Sequence, residues 1–334
     1  MNDAIGEELK GQAVAQAEEA AKIIAQARQG IAKVIFGQEN VIDETLITLL
    51  AGGHGLLIGV PGLSKTKLVE AIGTVFGLDW KRVQFTPDLM PADIIGSEVL
   101  EESDDRHRSF RFLQGPVFTQ LLMADEINRA SPRTQSALLQ AMQERQVTVA
   151  GTRYDLPAPF HVLATQNPLE QEGTYPLPEA QLDRFLLQID VGYPDKESEK
   201  RMLLATTFGE EKLPQRVCGP EALMAAQALV RHLPIGEKVV ESILKLVRAA
   251  RPDTDGAADL RGVIAWGPGP RASQAFMLAA RARALIQGRL APSTDDVVAL
   301  AGPVLRHRMA LNFAARAEGL TVMTVIERLC RTLL

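Results

Sequence analysis

The sequence predicts an α/β fold, a five-stranded parallel sheet with helices on both faces, followed by an all-helical C-terminal domain. Between residues 31 and 195, short apolar runs alternate with helical patterns, which is typical of a parallel sheet covered by helices. Beyond residue 195 the strand signal disappears, and only apolar spacings of three or four residues remain. The length of 334 residues agrees with about two domains of roughly 150 residues each.

Five short apolar runs supply the predicted strands. Each is almost uninterrupted apolar sequence, so we expect all five to be buried on both faces of the sheet. They lie at residues 55–58, 82–85, 121–124, 161–165 and 186–190.

Three parts of the chain follow from these patterns. Residues 1–30 are an Ala- and Glu-rich helical segment, residues 31–195 are the α/β domain, and residues 196–334 are the helical domain. The predicted helices of the last part cover residues 220–231, 237–251, 271–287 and 294–306. Several helices begin at plausible caps, namely Asp195, Gly219-Pro220 and Thr294.

Residues 59–66, G-V-P-G-L-S-K-T, have the layout of a phosphate-binding loop, although Ser64 stands where the common pattern has its last Gly. The loop lies between a predicted strand and a helix, so backbone N–H groups and a helix N-terminus would surround a polyphosphate. Lys65 would reach the β and γ phosphates, and the Thr66 hydroxyl would hold Mg²⁺. The alternative is a Gly/Pro turn with a surface lysine. The predicted nucleotide contacts here are Gly59, Pro61, Gly62, Leu63, Ser64, Lys65, Thr66 and Lys67.

Two adjacent carboxylates follow the third predicted strand. Asp125 would bind Mg²⁺ directly or through water, and Glu126 would polarise the water that attacks the γ phosphate. A charged turn at the end of an ordinary strand is the alternative. Because the loop at 59–66 lies upstream at a suitable distance, the pair instead indicates hydrolysis of ATP with Mg²⁺ to ADP and phosphate.

Composition narrows the class of protein. The net charge of −5 and the isoelectric point near 5.7 give no global electrostatic footprint for nucleic acid. Cys218 and Cys330 match no disulfide or zinc spacing, and the five histidines are scattered, so we expect no catalytic metal other than Mg²⁺. No apolar run reaches the roughly 18 residues of a membrane span, and residues 1–4 are acidic rather than basic with no apolar signal region after them, so we expect no signal peptide. We therefore expect a soluble, cytoplasmic enzyme.

Six segments in this order together resemble the MoxR family of AAA+ ATPases, from about residue 31 to nearly the end of the chain. They are F-G-Q at 36–38, the loop at 59–66, A-D-E-I-N-R-A at 124–130, A-T-Q-N-P at 164–168, L-P-E-A-Q-L-D-R-F at 177–185 and G-P-R at 269–271. The stretch A-D-E-I-N-R-A-S-P-R-T-Q-S-A-L-L-Q-A-M-Q-E is highly specific for that family. The departures are Ser64, where a small residue such as Ala is usual, and residues 101–108, which need not match. The resemblance implies an AAA+ core with a C-terminal lid domain.

The resemblance assigns roles to three further polar residues. Asn167 would hold the attacking water or the γ phosphate, as sensor 1, unless Asn167-Pro168 merely starts a turn. Arg184 would supply an arginine finger to the neighbouring subunit, typically worth about 10³–10⁵ in rate, unless it is a surface arginine paired with Asp183. Arg271 would touch the γ phosphate as sensor 2, in a domain that carries many arginines.

Four residues have less specific expectations. Gly37 and Gln38 would lie near the adenine, with backbone contacts providing most of the recognition. Arg129 and Arg133 follow the carboxylates and could also act between subunits, but neither is assigned a role.

Two segments are predicted to form hairpins. Residues 97–100 and 109–113 flank a charged tip and would form an insert at about 94–114, inside the helix before the Asp125 strand. Residues 146–149 and 153–156 flank a turn that contains Gly151, in a hairpin at about 146–156. In ring-shaped relatives such hairpins project toward the central pore; the alternative is that both tips are solvated loops.

Three classes of function stay open. The resemblance implies a chaperone-like ATPase that forms a hexameric ring and acts on a protein client, one carrying a von Willebrand A-type domain, in the maturation of enzymes. The alternative is a nucleic-acid motor, against which the acidic isoelectric point and the lack of an appended nucleic-acid-binding segment argue. A scaffold that barely hydrolyses ATP is the third option, and the intact Asp125-Glu126 pair argues against it.

Overall fold

The computed structural model describes residues 2–102, 108–170, 173–207, 214–252, 260 and 262–333, with the backbone alone for residues 2–13 and 102. Its centre is a five-stranded sheet in the order β2-β5-β8-β1-β9. All neighbouring strands run parallel. The predicted fold class is therefore confirmed. The strands are β1 Gly55–Ile58, β2 Trp80–Gln84, β5 Leu121–Asp125, β8 His161–Gln166 and β9 Leu187–Asp190.

Alternation along the central strands builds a separate apolar core on each face of the sheet. In β5, Leu121 and Met123 point into one core, whereas Leu122 and Ala124 point into the other. This is the two-residue period of a strand with helices on both sides, and it explains the uninterrupted apolar sequence. The helices of this part are α1 Asn2–Ala32, α2 Glu39–Leu50, α3 Lys65–Phe76, α4 Pro91–Ile95, α5 Pro132–Glu144 and α6 Glu179–Leu182, with a short 3₁₀ turn at Ile127–Arg129.

The prediction that all five strands are buried is wrong for β2. Most of its residues are exposed or half-buried, and it begins two residues earlier than predicted. The reason is position, because β2 lies at the edge of the sheet and pairs with β5 alone. Strand β9 forms the opposite edge and is buried only at Leu187 and Ile189. The exposure of β2 leaves its polar side chains available at the end of the sheet.

Two antiparallel hairpins branch from this core. The first pairs β3 Gly96–Glu102 with β4 Arg108–Gln114, and its tip at residues 103–107 lies outside the described residues. It follows the short helix α4 and returns through residues 115–120 without a helix, so it does not interrupt a longer helix as expected. The second pairs β6 Gln146–Val149 with β7 Thr152–Asp155. Phe112 stacks on Tyr154 with ring centres 4.1 Å apart, which joins the two hairpins.

The C-terminal part is helical, as predicted, with one addition. Its helices are α7 Lys196–Thr207, α8 Pro220–His232, α9 Glu237–Ala249, α10 Pro270–Ile286, α11 Thr294–Leu305, α12 Phe313–Ala317 and α13 Val322–Leu333. A small antiparallel pair, β10 Ile264–Trp266 and β11 Ala310–Leu311, lies among them. Strands of two and three residues are too short to produce a period in the sequence, which is why none was predicted there.

The N-terminal helix α1 packs along the rest of the protein. It contacts α2, α3, α8 and α10, and Ile24, Ala27 and Ile31 are buried in the larger core. The segment is thus covered on one side by both the α/β part and the helical part. Among the described residues, the helices are all too short or too polar to cross a membrane.

Candidate active site

One cavity of about 440 Å³ lies at the carboxyl ends of the sheet strands. Parallel strands end at the same edge of a sheet, so residues that are far apart in sequence meet there. The cavity brings together the predicted loop, both predicted carboxylates and Asn167, with two residues of β2 in addition. Its lining residues are Pro61, Gly62, Leu63, Ser64, Lys65, Thr66, Lys67, Arg82, Gln84, Asp125, Glu126 and Asn167.

The loop of residues 59–66 opens directly into helix α3. Ser64, the residue before the helix, has left-handed backbone angles (φ 57°, ψ 22°), and its side chain makes no capping hydrogen bond. The first turn of α3 also contains no acidic residue. Because the helix's own side chains do not neutralise its N-terminus, the partial positive charge there is available to an anion. Gly59 is required by close approach, since a Cβ at this position would lie 2.5 Å from the Val191 carbonyl oxygen.

Lys65 is the cation of the loop. Its Nζ donates to the carbonyl oxygens of Gly59, at 2.6 Å, and Val60, at 3.3 Å. Burial lowers the pKa of Lys65, while the nearby carboxylates of Asp125 and Glu126 oppose that shift. The ammonium group therefore lies over the loop on the side of the two carboxylates.

Asp125 is the last residue of β5 and is held from both sides. Its Oδ1 accepts a hydrogen bond from the Thr165 hydroxyl at 2.5 Å, and its Oδ2 accepts from Arg82 Nε at 3.0 Å and Nη2 at 2.5 Å. The Thr165 hydroxyl also accepts from the backbone N–H of Glu126 at 2.9 Å. Thr165 thus orients both carboxylate residues, and a positive charge already lies beside Asp125.

Glu126 adopts a left-handed backbone conformation (φ 55°) directly after the strand. Its Oε2 accepts from Gln84 Nε2 at 2.6 Å and from Arg129 Nη1 at 3.1 Å. The carboxylate is therefore engaged by an amide and a guanidinium. Both contacts are made by Oε2, and the action of Glu126 on a water molecule stays a prediction.

Asn167 lines the cavity and also forms a turn, and its role as sensor 1 stays a prediction. It is buried, follows β8 and lines the cavity. Its Oδ1 also accepts from the backbone N–H of Leu169 at 3.1 Å, which forms the turn that Asn167-Pro168 suggested.

Arg184 lies outside the lining of this cavity. Its Nη1 donates to the Leu139 carbonyl oxygen at 2.6 Å, and it borders a separate cavity of about 260 Å³ formed mainly by α5. The expected alternative, a pair with Asp183, is not formed, because the Asp183 carboxylate faces Arg308 at 2.7 Å and Arg271 at 3.9 Å. Arg133 is exposed on α5.

Gly37 and Gln38 lie beside the segment that follows β9. Gln38 Nε2 donates to the Gly192 carbonyl oxygen at 3.3 Å. Gly37 has a positive φ of 68°, and a Cβ there would lie 2.5 Å from the Cβ of Ser198. Neither residue lines the cavity, so their contact with adenine stays a prediction.

Sequence reasoning missed Arg82, Gln84 and Thr165. Thr165 was part of the A-T-Q-N-P segment but was assigned no role. Arg82 and Gln84 alternate along β2, so both point to the same side of the strand. That alternation of polar residues in the run W-K-R-V-Q is a signal for an edge strand, and it could have identified both.

Comparisons with known proteins identify relatives of this chain. Residues 54–187 match the AAA model of the ATPase family associated with various cellular activities, and residues 257–329 match the AAA lid domain. The chain is 40% identical to the chaperone MoxR1 of Mycobacterium tuberculosis over 303 residues, which cover 90% of this chain and 79% of that protein. It is 34% identical to the MoxR protein of Paracoccus denitrificans over 310 residues, covering 86% and 89% of the two chains.

A solved structure shows the same architecture. The crystal structure of a Cytophaga hutchinsonii protein proposed to be an ATPase superposes with a TM-score of 0.90 at 38% identity, covering 98% of each chain. The uncharacterized protein YeaC of Bacillus subtilis is 38% identical over 320 residues, which cover 95% of this chain and 96% of that protein.

Proposed function

The chain belongs to the MoxR family of AAA+ ATPases, and we propose that it hydrolyses ATP with Mg²⁺ as a subunit of a hexameric ring that remodels or helps mature a protein client. The observation that carries the catalytic part is the single cavity that contains the open N-terminus of α3, Lys65 and the pair Asp125-Glu126. Positive groups for a polyphosphate and carboxylates for hydrolysis are thereby placed together.

The residues present fit a magnesium ion. Thr66 and Asp125 line the same cavity and offer hydroxyl and carboxylate oxygens, the hard ligands that Mg²⁺ prefers. Arg82 shows that the position beside Asp125 suits a positive charge, and the guanidinium would have to move away from Oδ2 to admit the metal. When bound, Mg²⁺ would neutralise negative charge on the phosphate oxygens.

Three residues of the cavity have separate roles in the proposed reaction. Lys65 binds the β and γ phosphates, with the N-terminus of α3 behind it. Glu126 orients the attacking water and accepts its proton, with Oε2 of its carboxylate held by Gln84 and Arg129. Asn167, from the wall of the cavity, positions the same water or the γ phosphate.

The position of Arg184 favours the proposal of a ring. Its guanidinium lies in a different cavity from the phosphate-binding loop of its own chain. We therefore assign it to the active site of a neighbouring subunit, where it would stabilise charge that develops in the transition state. Arg271 is the proposed sensor 2, at the start of the lid helix α10.

Mixing two inactive variants tests this assignment. Arg184→Ala should bind ATP almost normally and lose most hydrolysis, and Glu126→Gln should do the same for a different reason. Together they should recover activity, because some interfaces then pair an intact Glu126 with an intact Arg184. Arg331→Ala, which removes an exposed arginine of α13, is the matched control and should keep wild-type turnover.

A ring also predicts that specific activity rises with protein concentration and then levels off. Concentration-independent turnover of a monomer, together with no recovery on mixing, would rule out the shared active site.

The client is proposed to be a protein with a von Willebrand A-type domain. A protein client agrees with the name of a relative, the chaperone MoxR1, whereas the von Willebrand A-type domain is what the resemblance to the MoxR family implies. Glu126→Gln with ATP should retain such a client in a pull-down, whereas Lys65→Ala, which should not bind nucleotide, serves as the control. Recovery of equal amounts with both variants would argue against a nucleotide-dependent client.

Nothing in the described residues or the comparisons favours the nucleic-acid motor. The three-part division at residues 30 and 195, the cytoplasmic location and the contact of the two hairpins with a central pore stay predictions.

A further inference from the structure

Three consecutive residues after helix α11 tie the lid to the last strand of the core. Arg306 forms an ion pair with Asp190, at the end of β9. Burial lowers the pKa of His307 well below its usual value, so its ring is neutral. Its Nε2 donates to the Phe185 carbonyl oxygen at 3.2 Å. Arg308 follows and reaches the residues just before β9. We call Arg306, His307 and Arg308 the lid clamp.

Arg308 is only 2% exposed and uses its whole guanidinium in this contact. Nε donates to Asp183 Oδ1 at 2.7 Å, while Nη2 donates to the backbone oxygens of Phe185 at 2.6 Å and Asp183 at 3.3 Å. Nη1 donates to the backbone oxygens of Leu186 at 3.1 Å and Val304 at 2.7 Å. These five bonds match the five N–H groups of an arginine side chain. A planar group with every donor engaged holds its partners in one geometry.

The proposed finger, Arg184, lies in the segment that Arg308 binds. Arg184 is the residue between Asp183 and Phe185, and Arg308 binds the backbone oxygen on each side of it. The direction in which the Arg184 side chain leaves the core is therefore set by a residue of the lid.

Asp183 also faces Arg271, the proposed sensor 2 of the lid. Its Oδ2 lies 3.9 Å from Nη1 of Arg271, whose side chain is 49% exposed. This contact is longer and more solvated than the bond to Arg308, so Arg271 can leave it at little cost. If Arg271 turns toward a γ phosphate, Asp183 loses one of the two cations it faces, and the field at the neighbouring Arg184 changes.

We propose that Asp183 couples the nucleotide state of one subunit to the finger that this subunit offers its neighbour. Arg271 senses the nucleotide, Arg308 holds Asp183 in place, and Arg184 delivers the effect to the next active site. Asp183 does not line the cavity that contains the phosphate-binding loop, and we assign it the role of a positioning residue. The proposal rests on the proposed function, because it requires Arg184 to act between subunits. It implies that neighbouring active sites hydrolyse ATP cooperatively.

Asp183→Asn is the variant that isolates this role. The amide keeps an oxygen for Arg308 Nε and the size of the side chain, but removes the charge that faces Arg271. We expect ATP affinity to change little, kcat to fall by about tenfold, as for a typical coupling between sites, and the Hill coefficient for ATP to approach one. Asp190→Asn, which removes the charge of the carboxylate that pairs with Arg306 of the lid clamp, is the matched control and should keep both kcat and the Hill coefficient.

Mixing locates the defect. Asp183→Asn with Glu126→Gln should recover activity, because the Glu126→Gln subunits bring intact fingers to the intact Glu126 of the other variant. Asp183→Asn with Arg184→Ala should not recover, since both damage the finger side.

Three results would overturn the proposal: an unchanged kcat and Hill coefficient in Asp183→Asn, no recovery with Glu126→Gln, or an equal loss in Asp190→Asn. If Arg184→Ala does recover with Glu126→Gln while Asp183→Asn does not, the shared active site stands and only the coupling falls. If Arg184→Ala fails to recover as well, the proposed ring mechanism falls first.

Discussion

The candidate active site and the segment 183–185, which contains the proposed finger Arg184, each contain an arginine–aspartate pair, but the two pairs are built differently. In the cavity, Arg82 is 45% exposed and Asp125 is 12% exposed. Beside the finger, Arg308 is 2% exposed and Asp183 is 21% exposed, and the guanidinium also binds four backbone oxygens. A partly solvated pair can open when a ligand arrives, whereas a buried and saturated one keeps its geometry. Under the proposed mechanism, the first pair would open when a nucleotide binds, and the second would keep Arg184 in one position.

The largest expected effect tests this contrast in stability. Arg308→Ala should lower the free energy of unfolding by about 3–5 kcal/mol, because it leaves buried acceptors unpaired. Arg82→Ala should lower it by about 1 kcal/mol or less, as for an exposed pair. Urea unfolding of both variants gives the two values. Similar losses would show that the two pairs do not differ in the way their burial suggests.

Acid should destabilise the fold through its buried histidines. Buried His54 and His161 have their pKa values lowered to about 3 and about 4, mainly by burial, whereas the cavity lining contains no histidine. The unfolded chain takes up these protons near pH 6.5 and the folded chain does not, so stability is complete above pH 6.5 and falls below it. At pH 5 the loss is about 2 kcal/mol for each of the two histidines.

Glu44 shifts stability in the opposite direction, because burial raises its pKa to about 7. Its contribution is present below pH 4.5 and is lost as the pH rises to 7. Urea unfolding between pH 7 and pH 5 should show a net loss as the pH falls, and His161→Gln should flatten the slope. A flat profile in the wild-type protein would contradict the assignment of neutral buried histidines.

The cavity itself should separate binding from chemistry. Lys65→Ala should abolish nucleotide binding, because the ammonium contacts phosphates in the ground state. Glu126→Gln should bind ATP with Mg²⁺ and hydrolyse it at least about 100-fold more slowly, because the carboxylate acts mainly in the transition state. Fluorescent-nucleotide titration and steady-state ATPase assays measure the two quantities. An equal loss of ATP affinity in both variants would contradict these roles.

The smallest effect concerns the turn before α3. Ser64 has a φ of 57°, a conformation that costs a residue with a Cβ about 1–2 kcal/mol and Gly much less. Ser64→Gly and Ser64→Ala should keep near-normal ATPase activity, and Ser64→Gly should raise the melting temperature slightly. Ser64→Val should lose activity, because a β-branched residue suits this conformation poorly. Full activity in Ser64→Val would show that the loop is placed wrongly.

Much of the cavity could be predicted because its residues lie in contiguous motifs. The loop at 59–66 and the pair Asp125-Glu126 each follow an apolar strand directly, so local sequence was enough to place them at one edge of the sheet. Arg82 and Gln84 were missed because they belong to a strand whose position at the edge was not recognised. Their contacts with Asp125 and Glu126 bridge more than forty residues of chain.

The sequence by itself determined the order along the chain of the five strands of the central sheet, the loop at 59–66 that precedes a helix, and the position of the carboxylate pair after a strand. It could do so because these features depend on the period of apolar residues and on short motifs, which are local properties of the chain. Only the tertiary structure decided that β2 is an edge strand and that Arg308 binds Asp183, 125 residues earlier in the chain. Such contacts arise when separately folded segments pack together, and no local period or motif encodes which distant partner a buried charge will find.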